Sequence, residues 1–382
     1  MIDEMLIFEV HYSNINRYVN PFAKHLLDSG TSKEVVILYD SFVEKEKIQQ
    51  LSILGLRYEE ASTFYKSAKN SSPRNRAFYN YSFRIADLYW TYKFKKIGAI
   101  CYQQQHGMYA DFLERSLTGY FSTLNRKVVY FKYLLHFFFS FRWTIALYLL
   151  NKDFFKSKAI NKKVANRSYK LGPVQSDHLF VWGDYWKEWF RDNHFYDDLE
   201  PFTTIGNPDY HKFIVGSETT FQPDQVCYIA QTFVEDGRME RQAYKKIVDR
   251  LAVEFKSNLI IKLHPRSDRD IFQEVLKNGG SLTYDFPFSG TYLGHYSSLL
   301  ALAINMKSRV FLLEINNEEI PTYFSNSANK VFTSIIEMVA AVKNDDQSKA
   351  KKEISFYFEN KQEHPFELIC NRIIKDFENG NI

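Results

Sequence analysis

Val226-Cys227-Tyr228-Ile229-Ala230, Asn258-Leu259-Ile260-Ile261-Lys262-Leu263 and Val310-Phe311-Leu312-Leu313-Glu314 are short, mostly apolar runs that fall within one stretch of the chain, residues 226–315. Runs of this length without polar alternation belong to strands buried on both faces, the habit of a parallel sheet. The first run stops at Gln231-Thr232 and the acidic turn Glu235-Asp236-Gly237, after which Arg238 to Phe255 is expected to be a helix. The second runs directly into His264-Pro265-Arg266. Proline cannot continue a central strand, so His264 is placed at the carboxyl edge of the sheet. Gly294-His295-Tyr296-Ser297-Ser298 then leads into Leu299-Leu300-Ala301-Leu302-Ala303-Ile304, an apolar helix whose start is capped by hydroxyls.

Ligands of open α/β sheets collect outside the carboxyl ends of the strands, where helix N-termini present N–H groups and positive potential to anions. A histidine at one strand end, a serine pair at the next helix start and Asp236 after the preceding strand therefore point to a site for a phosphate group. The plainer alternatives are that Ser297 or Ser298 is only an N-cap and that His264 only ends a strand.

Outward from this stretch the same alternation of strand and helix continues. Met5 to Val10 and Glu34 to Tyr39 are expected strands, with helices at Arg17 to Asp28, Val43 to Leu51 and Asn75 to Lys96, then a strand at Ala99 to Tyr102. This order predicts a parallel sheet with right-handed crossovers. The last strand enters Gln103-Gln104-Gln105-His106-Gly107-Met108. Gly107 lets the chain turn sharply, and His106 titrates near neutrality, so it can take a proton from a hydroxyl. A loop histidine bonded to backbone is the alternative, and Asp111 is a lesser candidate. His178 to Gly183 is expected to be a further strand, Asp184 to cap the helix carrying Trp186, Trp189 and Phe190, and Phe202 to Pro208 to form a short strand and turn. The breaks in periodicity from Ile214 to Pro223 mark a linker. The domains so drawn are 1–215, with an insertion near 120–170, and 224–382, ending in a closing helix from Asp346 to Glu378.

A chain of 382 residues exceeds the usual limit of one core, and 45% hydrophobic residues supply two. The net charge of +4 is modest, and the three cysteines are too far apart for a disulfide framework or a zinc site. No Gly-x-Gly-x-x-Gly or Walker loop is present, which argues against a dinucleotide dehydrogenase or a P-loop ATPase, and no nucleic-acid module is spelled out. Asp268-Arg269-Asp270 has the acid-x-acid form of a metal-bound nucleotide site, but an aspartate after Pro265 is better read as a helix cap. Met1-Ile2-Asp3-Glu4 is acidic where a signal peptide needs positive charge, so a cytoplasmic protein is expected.

The region Tyr120 to Leu150 is crowded with aromatic and aliphatic residues but is interrupted by Lys132, His136 and Arg142, which speaks against a membrane span. Lys152, Lys156, Lys158, Lys162, Lys163, Arg167 and Lys170 follow, with Asp153 the single acid among them. An apolar segment beside clustered lysines suits attachment to an anionic membrane surface; the alternative is a core helix pair with a solvated basic loop.

The order Glu235-Asp236-Gly237, His264-Pro265 and Ser297-Ser298 resembles the acidic-acidic-Gly, His-Pro and Ser-Ser/Thr motifs of bacterial sialyltransferases and polysialyltransferases. The resemblance implies an α/β protein of the GT-B fold, two Rossmann-like domains facing a central cleft. It implies an inverting, metal-independent glycosyltransferase of bacterial capsule, lipopolysaccharide or lipooligosaccharide synthesis, peripheral on the inner face of the cytoplasmic membrane and without a cofactor. Its donor would be a CMP-activated sialic-acid-like or related keto sugar, and its acceptor a glycan or lipid-linked glycan. Asp236 would be the base, and His264, Ser297 and Ser298 would meet the donor phosphate, with Gly237 and Pro265 beside them. The phrases Leu263-His264-Pro265 and Tyr296-Ser297-Ser298 also resemble CDP-glycerol glycerophosphotransferases, whose base is a histidine in a His-Gly motif. That likeness implies His106 as base, with Gln105 and Gly107 on the acceptor side. Between the two bases Asp236 is preferred, because an acidic donor would raise its pKa and hold a histidine protonated. A glycan-binding scaffold without catalysis is the remaining alternative.

Overall fold

The structure is a computed structural model, and it describes residues 1–40, 45–51, 55–71, 74–108, 124–139, 143–150, 171–194, 196, 201–211, 213, 220–306, 308–315, 318–344, 346, 357–359 and 363–379. The chain divides into two compact units: Met1–His106 with Tyr120–Gly206 and Lys361–Ile382, and Gly107–Gly119 with Asn207–Asn360. The expected linker lies largely outside the described residues.

The first unit is built on β1 (Ile2–Phe8), β2 (Ser32–Tyr39), β3 (Arg57–Glu60), β4 (Arg76–Asn80), β5 (Ile100–Gln104), β6 (His178–Val181) and β7 (Phe202–Thr204). They form one parallel sheet in the order β3-β2-β1-β4-β5-β6-β7. Because β1 pairs with both β2 and β4, the chain reverses its direction of travel across the sheet between β1 and β4, which opens a crevice at their carboxyl ends.

One expectation fails here. Asn75 to Lys96 is not a single helix but the strand β4 followed by the helix Ile85–Lys95. Every residue of Arg76-Ala77-Phe78-Tyr79-Asn80 is buried, and the Arg76 guanidinium is met inside the sheet by the buried carboxylate of Glu4. A charge that reads as surface helix in the sequence is accommodated because a partner 72 positions away neutralises it. The helix expected from Arg17 opens as a π turn over Ile15–Val19 and continues through Asn20–Asp28.

Much of the aromatic content goes into this unit. Phe78 stacks on Phe94 at 4.7 Å between centroids, Phe8 meets Trp90 at 6.1 Å, and Tyr89 meets Tyr133 at 4.4 Å. The helix Leu124–Phe139 packs through Tyr133 and Phe137 on the helix Ile85–Lys95. No described helix is long and apolar enough to cross a membrane. The basic tract 152–170 lies outside the described residues. At the end of the chain, the helix Pro365–Glu378 inserts Ile369, Cys370 and Ile373 into the same core as Ile2, Phe22 and Tyr79. It is shorter than the helix expected from Asp346, since Tyr357, Phe358 and Glu359 are not helical.

The second unit holds β8 (Gln222–Ile229), β9 (Leu259–Lys262), β10 (Ser281–Thr283), β11 (Ser289–Gly294), β12 (Arg309–Leu313) and β13 (Lys330–Phe332). Their order, β10-β9-β8-β11-β12-β13, is again parallel throughout, so this sheet also reverses beside its first strand, between β8 and β11. Its core gathers Tyr228, Val248, Leu251, Ile261, Leu293, Phe311 and Met338. The helix expected from Arg238 begins at Arg241 instead, because the amides of Arg238 and Met239 both turn back to the Phe233 carbonyl. Three buried cysteines, Cys101, Cys227 and Cys370, are free thiols.

Candidate functional site

The carboxyl edge of the second sheet collects most of the residues picked out in the sequence. β8 ends at Ile229 and remains paired one residue further, where the Ala230 amide donates to the Lys262 carbonyl at 3.0 Å. The Gln231 side chain then donates to the Tyr296 carbonyl, tying the end of β8 to the turn after β11 across the switch point. Gly294 lets that turn come close: a Cβ there would stand 2.9 Å from Leu300 Cδ1 and 3.4 Å from the Ile229 carbonyl oxygen. Ser297, in extended conformation, caps the helix Ser298–Asn305 by accepting from the Leu299 amide at 3.3 Å. The capping reading of Ser297 is therefore seen directly. It fixes a helix start, with Ser298 as first residue, at the crevice where anions bind in such sheets.

His264 follows the end of β9. Its Nδ1 accepts from the Arg266 amide at 3.1 Å, and its own amide donates to Ser267 Oγ at 3.1 Å. An acceptor role for Nδ1 leaves the proton of the neutral ring on Nε2, which is the donor an anionic ligand needs. Pro265 holds this turn at the edge, exposed to solvent.

Asp236 sits in the turn after β8, where Gly237 takes the left-handed conformation at φ +67°. The Asp236 carboxylate accepts from Thr232 Oγ1 at 2.6 Å and from Arg266 Nη1 at 2.9 Å. Partial burial pushes its pKa up, but the Thr232 and Arg266 bonds and the charges of Arg266 and Arg238 outweigh this, so the net direction is down. The raised pKa is expected beside a bound acidic donor; in the protein by itself a cation, Arg266, lies against the carboxylate and acts in the opposite sense. Asp268 caps the short turn Arg269–Phe272 through the Asp270 amide at 3.0 Å and pairs with Arg241. No group of metal-ligating side chains occurs among the described residues.

A further network was not expected. His295, buried after β11, donates from Nδ1 to the Leu313 carbonyl at 2.8 Å, and its Nε2 lies 3.3 Å from Glu318, which Arg238 grips. Burial lowers the His295 pKa, against the pull of the Leu313 carbonyl and Glu318. The network braces the turn that carries Tyr296 and Ser297. Glu318 is remote from any motif, so only His295, inside the quoted Gly294 to Ser298 phrase, signalled it.

The first sheet has its own polar crevice. Glu9 directly follows β1, 1% exposed, and accepts from the Val10 amide at 2.8 Å, the His11 amide at 3.0 Å and Arg84 Nη1 at 2.7 Å. Burial favours its neutral form, but the Arg84 charge and hydrogen bond reverse that and keep it ionised. Arg84, after β4, also grips buried Asp87 at 2.7 Å. His106, after β5, stands edge-on to Tyr18 at 5.4 Å between centroids and keeps access to solvent. The protein around the ring desolvates it and lowers its pKa below the usual histidine value; Arg84 and Arg17 act the same way and Glu9 opposes them. Gln105 is buried, with Oε1 accepting from the Trp182 amide at 2.9 Å and its own amide donating to the Phe180 carbonyl at 2.8 Å. It extends the β5–β6 pairing and presents His106 at the sheet edge. Gly107 follows at φ +86°, a left-handed conformation that supplies the turn after His106. Glu9 and Arg84 escaped the sequence reading because each looked like an isolated surface charge.

No protein-family profile and no curated protein matches this chain. Solved structures do. The wall teichoic acid polymerase TagF soaked with CDPG is 13% identical with a TM-score of 0.54, over 98% of this chain and 89% of that one. The S. aureus MnaA-UDP structure is 14% identical with a TM-score of 0.53, over 100% of this chain and 98% of that one. A UDP-GlcNAc 2-epimerase from Methanocaldococcus jannaschii is 10% identical with a TM-score of 0.50, over 99% of this chain and 100% of that one. Likeness at such identity concerns architecture: the chain has an α/β fold of two parallel sheets, seven and six strands, of the GT-B-like kind these proteins share.

Proposed function

We propose that this protein is a transferase that moves a group from a cytidine-nucleotide-activated donor to an acceptor hydroxyl of a bacterial surface polymer. The observation that carries the reading is the carboxyl edge of the second sheet. There His264, with Nδ1 occupied by the Arg266 amide, directs its proton from Nε2, and Ser297 caps a helix start on the adjoining side of the switch point. Both suit a phosphate that gains charge as it leaves.

Of the two candidate bases we assign the proton acceptor to His106 on its own chemistry. Burial holds the His106 pKa below the usual histidine value, which favours the neutral ring a base needs, whereas the Asp236 carboxylate is held in its charged form by Thr232 and Arg266, which weakens it as a base. In the glycosyl-transfer reading the acceptor oxygen bonds to the anomeric carbon of a sialic-acid-like sugar as the carbon–oxygen bond to phosphate breaks. The hydroxyl proton passes to His106, CMP departs with the bonding pair, and the anomeric centre inverts.

A second reading rests on His106 and Gly107 at the end of β5 together with the likeness to TagF, which extends over nearly the whole chain. There the acceptor oxygen bonds to the phosphorus of a CDP-activated polyol, the phosphoanhydride bond breaks, and CMP again leaves. Both readings are tested by measuring CMP release from CMP-sialic acid and from CDP-glycerol, each with and without a glycan or polyol-phosphate acceptor. Acceptor-dependent release from the first donor supports glycosyl transfer, and from the second polyol-phosphate transfer; EDTA should change neither. Binding of glycan with no turnover of any nucleotide-activated donor would overturn both and leave a glycan-binding scaffold.

A further inference from the structure

The helices Leu124–Phe139 and Trp143–Leu150 are apolar on two sides. One side is spent in the core of the first unit, where Tyr130, Tyr133, Leu134 and Phe137 are buried. The other side faces solvent: Val128 is 57% exposed, Phe131 49%, Leu135 49% and Phe139 78%, followed by Trp143 at 52% and Leu147 at 44%. Spacings of three and four residues place the first four on one face of their helix, the face a helix of a soluble protein ordinarily fills with charge. An exposed apolar face of this size calls for an occupant.

Charge identifies the occupant. From Arg115 to Lys170 the sequence contains twelve lysines and arginines and a single acid, Asp153. Lys127 and Lys132 are exposed on the helix that carries the stripe, and Lys96 is exposed at the end of the adjacent helix Ile85–Lys95, near enough with Lys93 to depress the pKa of His136 further after burial. Apolar anchors flanked by positive charge, without acids, match the boundary of a bilayer with anionic headgroups, where acyl chains take the ring and aliphatic groups and phosphates take the ammonium groups. The longer helix has 16 residues, about 24 Å at 1.5 Å per residue, and no described helix meets the requirements of a span. We propose that this face lies in the plane of an anionic membrane surface and holds the protein there as a peripheral enzyme. The proposal is independent of which donor is used.

The test is cosedimentation of the full chain with vesicles of phosphatidylcholine alone and of phosphatidylcholine with phosphatidylglycerol. Wild type should bind the anionic vesicles at least about tenfold more tightly than the neutral ones. Lys127→Glu with Lys132→Glu should weaken anionic binding by about fivefold or more per charge. The triple variant Phe131→Ser, Leu135→Ser, Phe139→Ser, changed only at exposed positions, should lose about tenfold or more while its thermal midpoint stays at the wild-type value. Equal binding to both vesicle types, or a triple variant that binds as wild type does, would overturn the proposal. So would a protein that ignores vesicles but forms dimers that the triple variant abolishes, since the stripe would then be a self-association face.

Discussion

His264 and His364 both precede proline, and in both the ring Nδ1 accepts the amide proton two residues on, at 3.1 Å in each case. What separates them is surroundings: His364 caps the helix Pro365–Glu378 and stacks on His25, whereas His264 stands at the end of a strand beside the switch point. His264→Ala is accordingly expected to cut turnover by about 10²-fold with the fold retained, while His364→Ala leaves turnover alone and lowers stability by about 1 kcal/mol, the cost of a lost cap. Steady-state kinetics and thermal midpoints of the two variants check this, and equal turnover losses would remove the distinction. His106 and Asp236 are compared in the same way. His106→Asn should lower kcat by about 10²-fold or more at saturating donor, and Asp236→Asn should act more weakly because that carboxylate is already occupied by Arg266. Since the His106 pKa is shifted down from 6.5, wild-type kcat should be flat above pH 6.5 and fall below it as the ring protonates. A profile whose acid limb survives unchanged in His106→Asn would assign the base elsewhere.

At the scale of elements, the turn between β11 and the helix Ser298–Asn305 is where packing controls the site. Gly294 admits Leu300 to within 2.9 Å of where a side chain would begin, and Leu300 is fully buried. Gly294→Ala should therefore cost roughly 1–3 kcal/mol through overpacking and displace the Ser297 cap, raising the KM for donor more than it changes Tm-matched kcat. Combining it with Leu300→Ala should cost less than the sum of the two single changes, because the second removes the atom that collides; strict additivity in a denaturation cycle would show that the two do not share the space. The strand β4 teaches the converse lesson. Arg76 and Asn80 read as polar helix positions, and the Glu4 carboxylate on the first and the Thr91 hydroxyl, 3.0 Å from Asn80 Nδ2, on the second help make them tolerable inside a sheet.

For the molecule as a whole, an acid-sensitive contribution to stability is expected from a histidine outside the candidate site. His178, 1% exposed at the start of β6, has its ring bonded to Thr203 at 2.8 Å, and burial pushes its pKa from 6.5 down to about 3. The unfolded chain binds a proton there below pH 6.5 and the folded one does not, so the contribution is intact above 6.5 and declines as pH falls toward 3. The slope is about 1.4 kcal/mol per pH unit, or roughly 2 kcal/mol between pH 6.5 and 5. Urea denaturation across that interval should show His178→Asn losing stability less steeply than wild type by that amount. Parallel curves would place the acid sensitivity in other groups.

How much of this was legible beforehand depends on the range of the forces involved. The strands β8, β9 and β12 and the His264 and Ser297 positions announce themselves locally, since apolar runs, a proline after histidine and hydroxyls before an apolar helix act through neighbours in the chain. Gly107 and Gly237 mark left-handed turns for the same local reason. The rest depends on partners far away in sequence. Glu9 stays charged because Arg84 reaches it, Asp236 loses basicity because Arg266 lies against it, and His295 finds Glu318 only once β11 and β12 are paired. The closing helix likewise has an apolar face that any core could accept, and it is the first unit's core that takes Ile369 and Ile373. Periodicity and backbone preference are properties of a segment, so sequence determines them; charge pairing and desolvation are properties of a place, and only the folded chain creates the place.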